Sequence, residues 1–197
     1  MTIDMFAASV PVFQRGLAQC AAILAKAEAH AQAKGFDPGI LLTSRLAPDM
    51  FPLARQIQIA ADGARGAAAR LAGAALPHPE APDFAAFNRG FPDGFADEPG
   101  GFADLAVRIL TAQGYLQGLA LQPGQFAGAE SRPIAVTMGG RTRHFTGLPF
   151  LLHYALPNFH FHIAMAYAIL RHGGVPLGKP DFEGPPVYTT APAGDQA

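Results

Sequence analysis

Apolar residues recur three and four positions apart in long stretches of the chain, the spacing that places them on one side of an α-helix. These stretches cover about residues 6–34, 50–71, 102–121 and 148–172. Gly35, Gly73 and Pro123-Gly124 follow the first three, as expected where helices end. The pattern therefore predicts an all-α protein, a four-helix bundle.

Two prolines indicate where two of these predicted helices begin. Asp49 is a good N-cap for the second helix, and Pro52 fits the first turn behind it. In the last stretch, Pro157 removes a backbone donor and its ring clashes with the preceding turn. We therefore expect a short helix that ends near Tyr154, followed by a new helix that starts near Pro157.

The segment between the third and fourth helices predicts a β-hairpin. Ile134, Val136 and Met138 alternate with other residues, which is typical of a strand with one buried face. Gly139-Gly140 then supplies the positive φ angles of a two-residue turn. The hairpin adds a small β element to an otherwise helical protein.

Two further segments lack helical periodicity. Prolines, glycines and acidic residues fill 76–101, with phenylalanines between them, and such a long irregular loop is uncommon in a compact domain. This loop is either a lid over a site or a surface excursion that phenylalanines hold in place. Residues 1–184 are predicted to form the bundle domain, and 185–197 a flexible C-terminal tail.

Composition and charge argue against a nucleic-acid partner and a membrane-spanning segment. The 197 residues carry a net charge of −1, and only 15% of them are charged. Lys and Arg form no cluster beyond Arg141 and Arg143, so no nucleic-acid partner is expected. No apolar stretch is long enough to span a membrane.

The only cysteine, Cys20, lies on the apolar stripe of the first helix, which favours a core residue and excludes an internal disulfide. The N-terminal residues lack the features of a signal peptide. Together these observations favour a cytoplasmic protein.

Candidate chemistry is concentrated in Leu156-Pro-Asn-Phe-His-Phe-His162, at the start of the last helix. Asn158 and His162 are four residues apart and share a helix face, whereas His160 lies about 200° from His162 around the helix. Gln56 borders the stripe of the second helix. We expect Gln56, Asn158 and His162 to meet in the bundle interior, with Tyr167 as a wall residue of the same pocket.

The chain resembles the DinB/YfiT-like superfamily, and more closely a branch of it that is a domain of unknown function. The resemblance covers most of the chain and rests on three motifs. They are Arg45-Leu-Ala-Pro-Asp-Met-Phe-Pro-Leu53 with Gln56, Leu156-Pro-Asn-Phe-His-Phe-His162, and Ala166-Tyr-Ala-Ile-Leu-Arg-His-Gly-Gly-Val-Pro-Leu-Gly-Lys179.

The resemblance implies a four-helix bundle, often a homodimer, in which three histidines bind a divalent metal such as zinc, nickel or manganese. His162 matches the second histidine of the pair on the fourth helix, and Leu170-Arg171 matches the Leu-Arg pair of the family. Asn158 stands in place of the first histidine of that pair. Gln56 stands approximately in place of the histidine on the second helix. Amides are poor substitutes for imidazole as metal ligands.

These observations support three hypotheses. The first is a bundle with a degenerate metal site that binds a small molecule in a pocket floored by Gln56, Asn158 and His162. The alternative is a metal-dependent transferase or hydrolase, possibly thiol-dependent, in which His162 is the anchor ligand. The third is a structural dimer without catalysis. No Ser-His-Asp arrangement, phosphate loop or dinucleotide fingerprint is present.

Overall fold

The computed structural model describes residues 4–76, 100–138 and 141–189. Most of the loop predicted over 76–101, the Gly139-Gly140 turn and the end of the tail predicted over 185–197 lie outside these ranges. The described elements, in chain order, are α1 (Val10–Lys34), α2 (Gly39–Thr43), α3 (Leu53–Ala72), α4 (Phe102–Ala120), two 3₁₀ turns (Pro123–Phe126 and Ala129–Ser131), β1 (Pro133–Met138), β2 (Arg141–Thr146), α5 (Gly147–Phe150), a π turn (Leu151–Ala155), α6 (Leu156–His172) and α7 (Lys179–Glu183).

The long helices α1, α3, α4 and α6 pack as a bundle, which confirms the predicted fold class. Helix α3 packs against both α4 and α6, and α1 packs against the same two helices. The predicted stripes supply the core: Leu17 of α1, Leu53 of α3 and Leu116 of α4 are fully buried. Phe13 of α1 meets Phe159 of α6 edge to face, with ring centroids 5.1 Å apart.

The hairpin is confirmed. Strands β1 and β2 are antiparallel, with Ile134 opposite Phe145 and Val136 opposite Arg143. Ile134 and Val136 are buried, as the alternation predicted. The hairpin is therefore attached to the bundle through one face of β1.

The start of α3 differs from the prediction. Asp49 is exposed and does not cap the helix, because α3 begins at Leu53 with Pro52 in the N-cap position. Pro52 is extended, with ψ 166°, and a proline disfavours the helical conformation for the residue before it. Phe51 consequently cannot belong to the helix. The Leu53 N–H instead donates to the Ser44 carbonyl at 2.9 Å.

The new helix predicted near Pro157 is confirmed, since α6 begins at Leu156, but a π turn and not a break joins it to the helical segment before it. The chain remains helical from Gly147 to His172, and the five-residue π turn Leu151–Ala155 comes directly before α6. Pro157 then stands in the first turn of α6, where a missing N–H is tolerated. A π turn widens the helix locally, so the proline ring no longer meets the turn that precedes it.

The segment after α6 packs back against the bundle. Val175 and Leu177 are buried. Helix α7 lies along α1, where Lys26 Nζ approaches Asp181 Oδ1 at 2.5 Å and Gln19 Nε2 donates to the Glu183 carbonyl at 2.6 Å. Among the helices in the described ranges, none combines the length and apolar character needed to cross a membrane.

Cys20 is a core residue, as predicted, and burial raises the pKa of its thiol to about 12. Because the thiolate is the reactive form, the native protein should not react with a disulfide reagent such as Ellman's reagent at neutral pH. One equivalent should react once urea unfolds the chain, as followed by absorbance. Rapid labelling of the native protein, with circular dichroism unchanged, would contradict the buried position.

Candidate functional site

The hydrogen bond between His162 and Gln56 is the centre of the candidate site. Nδ1 of His162 on α6 lies 2.7 Å from Oε1 of Gln56 on α3, and both side chains are buried. The sequence predicted that Gln56, Asn158 and His162 would meet, and in the structure His162 bonds to Gln56. This bond joins α3 and α6, the two helices with the most extensive mutual packing in the described chain.

The second polar atom of Gln56 fixes the direction of this bond. Nε2 of Gln56 donates to the Phe51 carbonyl at 3.1 Å, so Oε1 is the atom that faces His162 and it can only accept. Nδ1 of His162 must therefore carry the proton. In a neutral imidazole the other nitrogen is then an acceptor, so Nε2 of His162 presents a lone pair.

Burial keeps this imidazole neutral. His162 is 7% exposed, and burial lowers its pKa from 6.5 to about 4. In the described part of the chain, Nε2 makes no hydrogen bond and is not enclosed from solvent. The site therefore offers an uncharged acceptor with a fixed tautomer.

Asn158 lies one helical turn before His162 and is half-buried. Residues four apart lie on the same helix face, which places the amide on the side of α6 that carries His162. Within the described ranges, the Asn158 side chain has no hydrogen-bond partner. Its donor and acceptor are consequently available beside the lone pair of His162.

One aromatic side chain, Phe161, borders His162, and another, Tyr167, lies away from it. The Phe161 ring meets the His162 ring edge to face, with centroids 5.3 Å apart, and is 52% exposed. Tyr167, which was expected to line the same pocket, packs edge to face against Phe182 of α7 at 5.8 Å. By helical pitch Tyr167 lies about 140° around α6 from His162, so the described contacts place it toward the C-terminal segment.

The remaining described histidines do not converge on His162. His30 is half-buried against Phe36 near the end of α1. The others, His144, His153, His160 and His172, are exposed, and His160 lies on another side of α6, as its spacing predicted. Among the described residues there is no cluster of three His, Cys, Asp or Glu side chains that could hold a metal ion. Both polar atoms of Gln56 are already bonded within the protein. The described donors therefore do not make up the three-histidine set that the resemblance implies.

A buried ionic pair was missed by the sequence analysis. Arg108 of α4 binds Asp62 of α3 through two hydrogen bonds, 2.8 and 2.6 Å long, and Asp62 is fully buried. Nearby, the Arg65 guanidinium lies over the Tyr115 ring, 5.5 Å from its centroid. The sequence analysis assigned no role to these residues, although nearly every residue of α3 is buried. The signal that was overlooked is the abundance of Ala and Gly around the whole circumference of α3.

The lowered pKa of His162 predicts a pH-dependent stability. In the unfolded chain His162 becomes protonated below about pH 6.5. In the folded chain it stays neutral until about pH 4. The free energy of unfolding should therefore fall as the pH falls, on the order of 2 kcal/mol between about pH 7 and about pH 5 from this residue alone.

Urea unfolding at the two pH values measures this change in the natural protein and in two variants. His162→Leu should lose most of the pH dependence, whereas His144→Gln, a change at an exposed histidine, should keep it. An equal pH dependence in His162→Leu would show that His162 is not held neutral by burial.

Comparisons with known proteins agree with this fold. The model of a family described as "Domain of unknown function (DUF1993)" matches residues 5–183. A crystal structure of a DinB family member protein from Shewanella denitrificans is 35% identical to this chain. The match covers 95% of this chain and 96% of that one, with a TM-score of 0.76. The comparison with curated proteins found no match. The chain is thus a DinB-like helical bundle that belongs to the DUF1993 family of unknown function.

Proposed function

We propose that this protein binds a small polar molecule at a site made by Nε2 of His162 and the amide of Asn158. The observation that carries the proposal is the orientation of the imidazole. Gln56 holds the Nδ1 proton of His162, so the accessible Nε2 is a fixed acceptor. A fixed tautomer with an open lone pair is well suited to recognise a hydrogen-bond donor.

The chemistry of the site restricts the ligand. A neutral imidazole offers no positive charge to a carboxylate or phosphate, and Asn158 is also uncharged. The ligand is therefore an uncharged molecule with a hydroxyl or N–H group that donates to His162 Nε2. A neighbouring polar group of the ligand then pairs with the Asn158 amide, and its apolar part lies against the Phe161 ring, which borders His162.

In this proposal Gln56 positions His162 rather than touching the ligand. Metal-binding histidines are oriented in the same way, by a partner on the other ring nitrogen, so His162 alone is suited to bind a metal ion. The described residues do not supply the further strong ligands that zinc, nickel or manganese requires. A metal-dependent transferase or hydrolase is accordingly the alternative that the experiment must distinguish.

The test uses protein labelled with ¹⁵N-histidine and a library of uncharged fragments that carry hydroxyl or amide groups. Long-range ¹H–¹⁵N NMR spectra report the tautomer of each histidine. A ligand of this site should shift the Nε2 resonance of His162 and leave that of His144 unchanged. The variant Asn158→Ala should weaken binding about tenfold, because a lost hydrogen bond of about 1–1.5 kcal/mol corresponds to such a factor.

Three outcomes would contradict the proposal. One is a spectrum in which Nε2 of His162 carries the proton in the free protein. Another is the absence of any fragment that shifts His162. The third is a metal-to-protein ratio near one, measured by mass spectrometry on untagged protein, that falls in His162→Ala. That result would support the metal-dependent enzyme instead.

A further inference from the structure

The second strand of the hairpin, β2, has one edge that pairs with no other strand in the described chain. Strand β2 pairs with β1 along its whole length, and within the described ranges the sheet consists of these two strands. On the other side of β1, Nε of Arg70 on α3 donates to the Ala135 carbonyl at 3.4 Å. The outer edge of β1 therefore faces the bundle, whereas the outer edge of β2 is open.

The register shows which backbone groups of β2 point to this open edge. Two residues separate Met138 from Arg141, and in such a hairpin the pair that flanks the turn is hydrogen-bonded. Hydrogen-bonded and non-hydrogen-bonded pairs then alternate along the strands. The N–H and C=O groups of Thr142, His144 and Thr146 consequently point away from β1.

Two observations support this assignment. Pro133, which has no N–H group to donate, lies opposite Thr146. The hydroxyl oxygens of Thr137 and Thr142 are 2.9 Å apart, and side chains approach most closely in non-hydrogen-bonded pairs. In the part of the chain that the structure describes, the N–H groups of Thr142, His144 and Thr146 have no backbone partner.

The charged side chains of β2 are all positive. Arg141 and Arg143 are exposed, and the described carboxylates form no ion pair with either of them. No Asp or Glu occurs between Glu130 and Asp181. Because Arg141 and Arg143 are two residues apart, they lie on the same face of the strand. A neighbouring strand therefore meets both arginines with side chains at alternate positions.

We propose that the open edge of β2 binds an extended acidic segment of another protein, which adds a third strand to the sheet. In this mode of recognition, main-chain hydrogen bonds give affinity and alternate side chains give specificity. The backbone of the partner bonds to the outward N–H and C=O groups of Thr142 and His144. Its carboxylates, at alternate positions, pair with Arg141 and Arg143, since opposite charges on adjacent strands are stabilising.

The same arginines disfavour a second copy of β2 at this edge. Charged residues on an edge strand commonly prevent pairing with a like strand, and here two copies would bring positive charges together. A strand that carries carboxylates replaces this repulsion with attraction. The charge of β2 thus restricts the partner to an acidic one.

Fluorescence anisotropy of the full chain with a labelled peptide tests the charge requirement. The peptide has about seven residues, close to a typical strand length, and glutamate alternates with valine. We expect a dissociation constant below about 1 mM. Arg143→Glu should weaken binding about tenfold. Lys34→Glu, the same change of charge at an exposed residue in the last turn of α1, should leave binding unchanged.

Amide hydrogen exchange, followed by NMR, tests the backbone contact. The N–H groups of Thr142 and His144 should exchange rapidly in the free protein and at least about tenfold more slowly with the peptide. Those of Arg143 and Phe145, which already bond to β1, should change little. His144→Pro removes one outward donor and should abolish binding with circular dichroism unchanged, whereas His144→Gln keeps the donor and should bind as the natural protein does.

Four outcomes would overturn the proposal. The first is no binding at about 1 mM peptide. The second is equal binding of a permuted peptide of the same composition whose glutamates are consecutive, because its carboxylates cannot lie on one face of a strand. The third is protection of amides outside β2 only. The fourth is binding of phosphatidylglycerol vesicles that Arg143→Glu abolishes and the peptide does not compete with, which would assign the arginines to a lipid surface.

Discussion

Replacing Asp62 with alanine should destabilise the protein by about 3–5 kcal/mol, the cost of removing one partner from a buried ion pair. The Asp62 carboxylate has no solvent exposure, and both of its oxygens accept from Arg108. The Arg108 side chain is itself only 18% exposed. The variant therefore leaves a largely desolvated guanidinium without this carboxylate.

Urea unfolding, followed by circular dichroism, measures this loss. The matched control is Glu183→Ala, which removes the exposed Lys179–Glu183 pair and should cost only a few tenths of a kcal/mol. The double variant Asp62→Ala/Arg108→Ala should lose less stability than the sum of the two single variants, because the groups are directly coupled. A loss below about 1 kcal/mol in Asp62→Ala would show that the pair does not stabilise the native state.

Gly147→Ala should destabilise the protein by more than about 3 kcal/mol, beyond the usual cost of overpacking. A Cβ atom at Gly147 would lie 1.7 Å from the backbone oxygen of Ala129. The obstacle is the main chain of Ala129, the buried residue of a 3₁₀ turn, and not the flexible end of a side chain. The turn and the start of α5 must therefore separate to admit the methyl group.

Chemical denaturation of Gly147→Ala and Gly118→Ala provides the comparison. Gly118 lies within α4 and has open space around it, so alanine there should raise the stability by up to about 1 kcal/mol through helix propensity. Equal stabilities of the two variants would mean that the close approach of Ala129 and Gly147 is absent in solution.

The bundle was predictable because helix stripes are encoded locally. Leu17, Ile57 and Leu116 each lie three or four residues from other apolar residues, and all three are fully buried. The stripe of α3 was correct but incomplete, because periodicity identifies the most apolar side of a helix and not the number of sides that are covered. Asp62 lies outside the predicted stripe, and the fold nevertheless encloses it.

The candidate site was partly predictable for the same reason. The shared face of Asn158 and His162 follows from their spacing of four within one helix. The bond between His162 and Gln56 depends on how α3 and α6 are aligned along their lengths, which no local pattern determines. The position of Tyr167 against Phe182 likewise depends on where the C-terminal segment returns.

The π turn changes the direction in which the side chains of α6 point, relative to those of the helical turn before it. Phe150 and His162 are both buried, although in an uninterrupted α-helix residues twelve apart point about 120° away from each other. One extra residue in the turn removes that difference and leaves the two side chains only about 20° apart. The single inserted residue thus acts as a rotational spacer. Deleting it would give a regular helix and turn the imidazole away from Gln56.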